Sequence, residues 1–317
     1  MQIKIWGARG SIASPLTDSE YKKNIKSILE RAISLNKVND IDSFIEELPE
    51  ELKTLHGGNT TCVSVVSGAG ERFVIDCGTG LRLLGHELMA GDCGSGKGLI
   101  NIMLTHNHWD HIQGLPFFTP IYIRGNKLTF FSPYPNQLDH LERYMSPPFF
   151  PVTLSSTASE KKFELLDYKN PNPLQFAGDL LVDIYPLLHP DGCAAYRFRE
   201  GGKTFIFATD VELTKQNFKE FNNGNTFFNN ADVLIIDAQY TLEEALVKSD
   251  WGHTSIPFAV ECATAWKVKT LVLTHHDPNA NEQKLNKNLT SALDYAKSIG
   301  NEKLEIFLAA EGMSFEL

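Results

Sequence analysis

Short hydrophobic runs recur along the chain, separated by polar, glycine- or proline-containing segments. Most runs are rich in Ile, Val, Leu and Phe and too short for a buried helix, which is typical of β-strands. The predicted strands are Gln2–Trp6, Cys62–Ser67, Arg72–Asp76, Leu99–Thr105, Lys127–Phe131, Leu180–Pro186, Ala194–Arg199, Lys203–Thr209, Asp232–Asp237, Thr270–Thr274, Leu304–Leu308 and Met313–Glu316. Helical periodicity between them predicts the helices Leu81–Met89, Leu138–Tyr144, Ile256–Ala265 and Glu282–Ser298.

This order of elements predicts an α/β fold. Strands follow one another in runs, with a helix interposed at intervals, which favours two mixed β-sheets packed face to face with helices outside, an αββα four-layer sandwich. We expect one domain over residues 1–317, with insertions at about 14–55 and about 134–173. Thr17 and Glu20 form a capping-box pattern at the start of a helix in the first insertion, and a second short helix is expected over Ser43–Leu48. Each insertion is interpreted either as a lid over a site or as a surface elaboration.

Composition narrows the classes of function. With 29 Lys and Arg against 39 Asp and Glu, the net charge is −10. Such an acidic surface argues against broad binding to nucleic acid or anionic lipid, so nucleic acid is not expected as a partner, whereas a small anionic ligand held by metal ions remains compatible. Five cysteines without a CxxC pair, no secretory signal and no membrane-length apolar run favour a cytoplasmic protein with reduced thiols. A homodimer is allowed on general grounds.

The strongest chemical signal follows the predicted strand Leu99–Thr105. The segment 105–111 reads THNHWDH, so His106 and His108 are two residues apart and point to the same side of an extended loop. Three imidazoles and one carboxylate within six residues form a ligand set for Zn²⁺ or a similar metal.

This HxHxDH stretch resembles the signature of metallo-β-lactamase-fold hydrolases. The other motifs of that family occur in order, each at the end of a hydrophobic run: Asp76 in VIDCGTG, His189 in LLH, Asp210 in FATD and His275 in LVLTH. The resemblance covers nearly the whole chain apart from the two insertions, and it implies the metallo-β-lactamase fold.

The resemblance also implies a binuclear metal site, with Zn²⁺ as the expected metal and Mn²⁺ or Fe²⁺ as alternatives. Its ligands would be His106, His108 and His189 for the first metal, Asp110, His111 and His275 for the second, and Asp210 for both. A hydroxide that bridges the two cations could attack a phosphate ester. Asp76 is expected to orient the HxHxDH loop by hydrogen bonds rather than to bind metal. The role of His276, next to His275, stays open.

A second motif narrows the reaction. The stretch 251–255, WGHTS, precedes a predicted helix, and this order resembles the phosphodiesterase branch of the superfamily, which includes tRNA 3′-processing nucleases and cyclic phosphodiesterases. By that resemblance His253 assists the leaving oxygen, and His253 and Asp110 are the catalytic candidates. The alternative is that His253 only caps the helix that begins at Ser255.

The substrate-binding candidates are Arg9 and Asn59, in the glycine-containing turns 7–11 and 57–61, and His56, directly before the second turn. We expect a phosphodiesterase acting on a small diester, such as a 3′,5′-cyclic nucleotide or another cyclic phosphodiester. The first alternative is a tRNA 3′-processing endoribonuclease of the tRNase Z type, against which the net charge of −10 counts. The second alternative is a non-catalytic ligand-sensing module.

Overall fold

The computed structural model describes residues 1–35, 40–170 and 172–317. Within these ranges the strands form two mixed sheets of seven strands each. In spatial order the first sheet contains β14 (Ser314–Glu316), β1 (Gln2–Gly7), β2 (Cys62–Val66), β3 (Arg72–Ile75), β4 (Leu99–Met103), β5 (Lys127–Ser132) and β6 (Glu160–Leu165). The second contains β13 (Glu305–Leu308), β12 (Thr270–Thr274), β11 (Val233–Asp237), β10 (Lys203–Ala208), β9 (Cys193–Glu200), β8 (Leu181–Leu187) and β7 (Leu174–Gln175).

The helices pack outside the sheets. They are α1 (Asp18–Leu35), α2 (Ile41–Glu46), α3 (Glu50–Lys53), α4 (Leu81–Met89), α5 (Trp109–Ile112), α6 (Gln137–Tyr144), α7 (Phe218–Phe221), α8 (Leu242–Val247), α9 (Ile256–Ala265) and α10 (Glu282–Ser298). Short 3₁₀ turns cover Asp92–Ser95, Leu115–Phe117, Thr119–Tyr122 and Leu154–Ser156. No helix in the described ranges is both long and apolar enough to cross a membrane.

Successive residues of a central strand enter different hydrophobic layers because side chains alternate across a sheet. In β11, Val233 and Ile235 pack into the core between the two sheets. Leu234 and Ile236 pack into a second core together with residues of α9 and α10. A third core lies under α4 and α6 on the outer face of the first sheet. The predicted αββα four-layer architecture is therefore confirmed.

Parallel pairing brings the ends of several strands to one edge of the molecule. Strands β10, β11, β12 and β13 run parallel in the second sheet, and β3, β4, β5 and β6 do so in the first. The sheets are tied together there, because Tyr196 donates its hydroxyl hydrogen to the Leu104 carbonyl at 2.6 Å and the Ala194 N–H donates to the Thr105 carbonyl at 3.0 Å. Loops that follow these strands consequently converge on a rigid support.

The first expected insertion contains α1, α2 and α3, and its residues 36–39 lie outside the described residues. The predicted capping box is present, since the Thr17 N–H donates to the Glu20 carboxylate at 3.0 Å and the Glu20 N–H to the Thr17 hydroxyl at 3.3 Å. The second short helix begins at Ile41 rather than at Ser43, because the Asp40 carboxylate accepts the Ser43 N–H and starts the helix earlier.

The second expected insertion contributes to the sheet as well as to the surface. Besides α6 it contains β6, which pairs with β5 and forms the edge of the first sheet. Its sequence, EKKFEL, is charged and half-exposed, which suits an edge strand but hides it from a search for hydrophobic runs. Residue 171 lies outside the described residues.

Candidate metal centre

Three residues of the candidate site leave their strands in an unusual backbone conformation. Asp76, Asp210 and His275 follow β3, β10 and β12, and their φ angles are 60°, 56° and 62°. Left-handed φ is uncommon outside glycine, although Asp and His tolerate it better than most residues. Such strain persists only where the surroundings enforce it, and it clusters at functional sites.

One group of ligand-type atoms forms around His106, His108, His189 and Asp210, with one such atom from each residue within 4.8 Å of the others. The Nε2 atoms of His106 and His189 lie 3.6 and 3.5 Å from Asp210 Oδ2. His189 Nε2 lies 3.2 Å from His108 Nδ1. This group contains the residues expected at the first metal.

A second group contains Asp110, His111 and His275. His111 Nε2 and His275 Nε2 lie 3.2 and 3.1 Å from Asp110 Oδ2. The same two nitrogens each lie 3.2 Å from Asp210 Oδ1. Asp210 therefore presents Oδ2 to the first group and Oδ1 to the second, which is the arrangement that a carboxylate bridging two cations requires. We call these seven residues the metal cluster.

The spacing and the unsatisfied atoms of the metal cluster fit divalent cations. Ligand atoms about 2.1 Å from a tetrahedral Zn²⁺ lie about 3.4 Å from one another, close to the separations between these side chains. His106 Nε2, His111 Nε2 and His275 Nδ1 are buried without a hydrogen-bond partner among the described residues. Burying polar atoms unpaired is costly, so a bound cation accounts for at least the two orphaned Nε2 atoms.

The ionisable side chains of the metal cluster shift the pKa values of one another. Burial alone would raise the pKa of Asp210, but His275, His111 and His106 outweigh it and hold that pKa well below its usual range. Burial opposes protonation of His275 too, yet Asp210 and Asp110 raise its pKa to about 9. Metal binding would compete with protonation of His275.

A buried carboxylate fixes the loop that carries the histidines. Asp76 accepts the Thr105 N–H and the Thr105 hydroxyl, both at 2.8 Å, and lies 2.7 Å from His111 Nδ1. This contact directs His111 Nε2 into the metal cluster. Ser11 adds a further support, because its N–H donates to Asp110 Oδ2 at 2.7 Å. Asp76 therefore holds the loop and lies outside both groups of ligands.

His253 lies beside the metal cluster and is held by a residue that the sequence analysis did not single out. Its Nδ1 lies 2.6 Å from Asp237 Oδ2, and its ring stacks on His275 at 4.7 Å. A nitrogen of His253 lies within 4.8 Å of ligand atoms of Asp210 and His275. The Ser255 side chain makes no capping hydrogen bond, and His253 is engaged with Asp237 instead of the helix start. Asp237 ends β11 as the last residue of VLIID, and this strand-end carboxylate was the available signal.

Two residues that were not named as site candidates, a glycine of the WGHTS stretch and a glutamate, orient His189. Gly252 has φ of 87°, its carbonyl lies 3.0 Å from His189 Nδ1, and a Cβ there would lie 2.2 Å from that nitrogen. Glu212 accepts the Gly252 N–H at 2.8 Å and the Asp250 N–H at 2.9 Å. Together these contacts orient His189, because a metal-binding histidine is positioned by the partner of its other ring nitrogen.

The three substrate-binding candidates have polar partners within the chain, and their role at a substrate stays a prediction. Arg9 is buried and donates to the carbonyls of Gly57, Asp277 and Ala280 at 2.9, 3.2 and 2.7 Å. His56 Nδ1 lies 2.5 Å from the Glu282 carboxylate. Asn59 donates its side-chain amide to Glu311 at 3.0 Å. These contacts join the two N-terminal turns to the last part of the chain, and we call Arg9, His56 and Asn59 with Glu282 and Glu311 the brace.

His276 belongs with the brace and not with the metal cluster. Its Nε2 lies 2.9 Å from the Ala309 carbonyl, and its ring meets His56 edge-on at 5.8 Å. Burial lowers the pKa of His276 to about 3, so the ring is neutral. The backbone of Gly10 and His276 is hydrogen-bonded, and a Cβ at Gly10 would lie 2.4 Å from His275 Nδ1. The turn therefore packs against the metal cluster through glycine while Arg9 points into the brace.

Two face-to-face sheets with a histidine- and aspartate-rich cluster at their shared edge define an αββα protein with a candidate binuclear metal site. The description "Beta-lactamase superfamily domain" belongs to the family model that matches residues 71–276. That match spans more than half of the sequence, and the chain belongs to the β-lactamase superfamily. The resemblance inferred from the motifs is confirmed.

Known proteins agree with this assignment. Ribonuclease Z of Bradyrhizobium diazoefficiens is 23% identical over 267 residues, covering 67% of the chain and 82% of that protein. The crystal structure of YhfI, a metallo-β-lactamase fold protein from Bacillus subtilis, superposes with a TM-score of 0.64 at 17% identity, covering 100% of the chain and 99% of YhfI. Human tRNase Z, short form, gives a TM-score of 0.60 at 17% identity, with coverage of 100% and 99%. These two structures establish the fold alone.

The relatives confirm one functional prediction and overturn another. The prediction of a hydrolase acting on ester bonds is confirmed at that level, because the curated relatives are ribonucleases. The prediction that nucleic acid is not a partner is wrong, since proteins named ribonuclease Z act on RNA. The error came from the net charge of −10, which averages over the whole surface and does not describe the potential beside a metal site.

Proposed function

We propose that this protein is a binuclear metal-dependent phosphodiesterase that cleaves RNA, of the tRNA 3′-processing endoribonuclease type. The observation that carries the proposal is the division of the Asp210 carboxylate, whose two oxygens serve two separate groups of ligand-type side chains. Curated relatives named ribonuclease Z favour RNA over the small cyclic diester that the sequence analysis placed first.

The residues that would hold the metals fall into the two groups already described. His106, His108 and His189 would hold one cation, Asp110, His111 and His275 the other, and Asp210 both. A pair of divalent cations held there, Zn²⁺ first among the candidates, would activate a water molecule and stabilise charge on the phosphoryl oxygens. Asp76 keeps the His111 ring in the required orientation through the 2.7 Å contact at Nδ1.

His253 is proposed as the general acid. Cleavage of an RNA phosphodiester releases an alkoxide oxygen, a poor leaving group that benefits from a proton delivered in the transition state. Asp237 is fully buried and lies 2.6 Å from His253 Nδ1, so it orients the ring and leaves Nε2 to deliver a proton. Asp237 is therefore a positioning residue for His253.

The decisive experiment compares substrate classes with one metal-loaded preparation. Protein stripped with a chelator and reloaded with Zn²⁺, Mn²⁺ or Fe²⁺ would be incubated with a precursor tRNA carrying a 3′ trailer, with 3′,5′-cyclic nucleotides and with bis-p-nitrophenyl phosphate. We expect metal-dependent cleavage of the precursor at one position near its 3′ end. An intact precursor alongside rapid hydrolysis of a cyclic nucleotide would overturn the proposal. Full metal loading with no hydrolysis of any diester would favour the ligand-sensing module.

A further inference from the structure

An open depression of about 470 Å³ is lined in part by the loop that carries His106 and His108. Two residues of its wall, Asn107 and Trp109, belong to the same loop as His106 and His108. The rest of the wall comes mainly from α6 and from Phe149, which follows that helix. Trp109 lies between His108 and Asp110 in the sequence, so the depression and the metal cluster share this loop.

Two large aromatic side chains are exposed in the depression. Trp109 is 77% exposed and Phe149 is 80% exposed, although residues of this size and polarity usually bury most of their surface. Exposed apolar surface in a cleft is typical of a ligand-binding site, where the ligand covers that surface. Proteins that bind single-stranded nucleic acid use such aromatic faces to stack bases.

A cation lies next to these rings. His140, Arg143 and Tyr144 are spaced three and four residues apart on α6, so they share the face that lines the depression. Arg143 is exposed, and no ion pair involves it within the described ranges. Its acidic neighbour Glu142 is already engaged, accepting the N–H and hydroxyl of Ser155 at 2.9 and 2.8 Å. The guanidinium is free to contact a phosphate or the face of a base.

Hydrogen bonds connect the helix that lines the depression to the loop of the metal cluster. Gln137 donates its side-chain amide to Asn107 Oδ1 at 2.7 Å, and Asn107 Nδ2 lies 3.2 Å from His140 Nδ1. Helix α6 is thus hydrogen-bonded to the loop that carries His106 and His108. A base held in the depression would be positioned relative to the scissile phosphate.

We propose that this depression is a nucleobase subsite, in which an unpaired base next to the scissile bond stacks on Trp109 and Phe149 while Arg143 contacts a flanking phosphate. The inference rests on the proposed action on RNA and adds the site that reads an unpaired nucleotide. Stacking tolerates any base, so we expect recognition of a single-stranded nucleotide with little sequence preference.

The test uses abasic substitutions in the RNA. Precursor substrates with a single abasic nucleotide at successive positions around the cleavage site would be cleaved by the full-length, metal-loaded wild-type protein and by Trp109→Ala and Phe149→Ala. We expect one abasic position to lower kcat/KM of the wild type about tenfold or more, and the same substitution to change kcat/KM of either variant less than threefold. Tyr21→Ala removes an aromatic ring of α1 that is 56% exposed and is the control, which should keep the wild-type ratio.

Equal sensitivity of the wild type and both variants to every abasic position would overturn the subsite. Two variants on separate segments guard against misfolding of either one. If the wild type cleaves no RNA, the proposed function fails, and binding of a single-stranded oligonucleotide containing 2-aminopurine then decides the subsite separately. Fluorescence quenching that Trp109→Ala and Phe149→Ala lose would support the subsite, whereas absence of quenching in the wild type would overturn it.

Discussion

The metal cluster and the brace contain the same kinds of residue but differ in how their polar atoms are used. Both lie beside the N-terminal turns, both contain histidine and carboxylate side chains, and they meet where His275 and His276 point in opposite directions. In the brace, Arg9 and His56 find carbonyl or carboxylate partners. In the metal cluster, His106 Nε2 and His111 Nε2 are buried without a hydrogen-bond partner among the described residues.

Burial and residue type therefore do not separate a ligand site from a structural contact. A fully hydrogen-bonded network stabilises the fold by itself, whereas a network with buried unsatisfied nitrogens is costly until a ligand completes it. Substitutions in the two regions should accordingly change different measured quantities. Substitutions in the metal cluster should change metal content and turnover, and substitutions in the brace should change the free energy of unfolding.

The largest effect is expected for Asp210→Ala. Removing the shared carboxylate leaves two cations without their common ligand, so we expect loss of at least one metal per chain and a fall in kcat/KM of about 10³-fold or more. Elemental analysis of the purified protein and initial rates on precursor tRNA measure both. Asn230→Ala is the control. Asn230 shares the left-handed backbone, with φ of 59°, but it precedes β11, whereas the metal cluster lies at the carboxyl ends of the strands. Full metal occupancy in Asp210→Ala would remove the bridging carboxylate from the site.

His253→Ala should have the next largest effect and should separate chemistry from metal binding. We expect unchanged metal content and a fall in kcat on RNA of about 10²- to 10⁴-fold. The loss should be much smaller with bis-p-nitrophenyl phosphate, because nitrophenolate leaves without needing a proton. His86→Ala, an exposed histidine of α4, is the control. An equal loss on both substrates would show that His253 does not protonate the leaving oxygen.

The sequence predicted the metal cluster better than it predicted the brace. The seven residues of the metal cluster follow hydrophobic strands at fixed motif positions, so the strand pattern and the family resemblance together predicted which side chains converge. Arg9, Asn59 and His56 lie in glycine turns that resemble anion-binding loops. Most of their partners, among them Glu282 and Glu311, are more than 220 residues away along the chain. No local pattern announces such contacts.

Three features were missed in the sequence analysis, each for a physical reason of its own. Strand β6 was missed because an edge strand with one solvated face needs few hydrophobic residues. Asp237 was missed because a carboxylate at a strand end is common, and only the folded chain shows that its oxygen lies 2.6 Å from His253. Nucleic acid was rejected because composition records total charge, while recognition depends on where individual charges lie on the surface.

Arg9→Met tests the brace directly. The substitution leaves three buried carbonyls without their charged donor, and charged hydrogen bonds contribute about 1.5–3 kcal/mol each, so we expect the free energy of unfolding to fall by about 3 kcal/mol. Metal content and KM for RNA should stay close to wild type at temperatures where the protein remains folded. Denaturant unfolding and steady-state kinetics provide the measurements, and Arg82→Met on the exposed face of α4 is the control. A raised KM with unchanged stability would restore Arg9 as a phosphate ligand.

Asn59→Ala should have the smallest effect. Asn59 is half-buried and donates one side-chain hydrogen bond to Glu311, at 3.0 Å, so its removal should cost about 1 kcal/mol of unfolding free energy. A double-mutant cycle with Glu311→Gln assigns this cost, because two residues that act through one contact show a coupling energy, whereas independent residues are additive. We expect a coupling of about 1 kcal/mol and kinetic constants within twofold of wild type. Additive unfolding energies combined with a several-fold rise in KM for RNA would place Asn59 at the substrate and move the boundary between the brace and the active site.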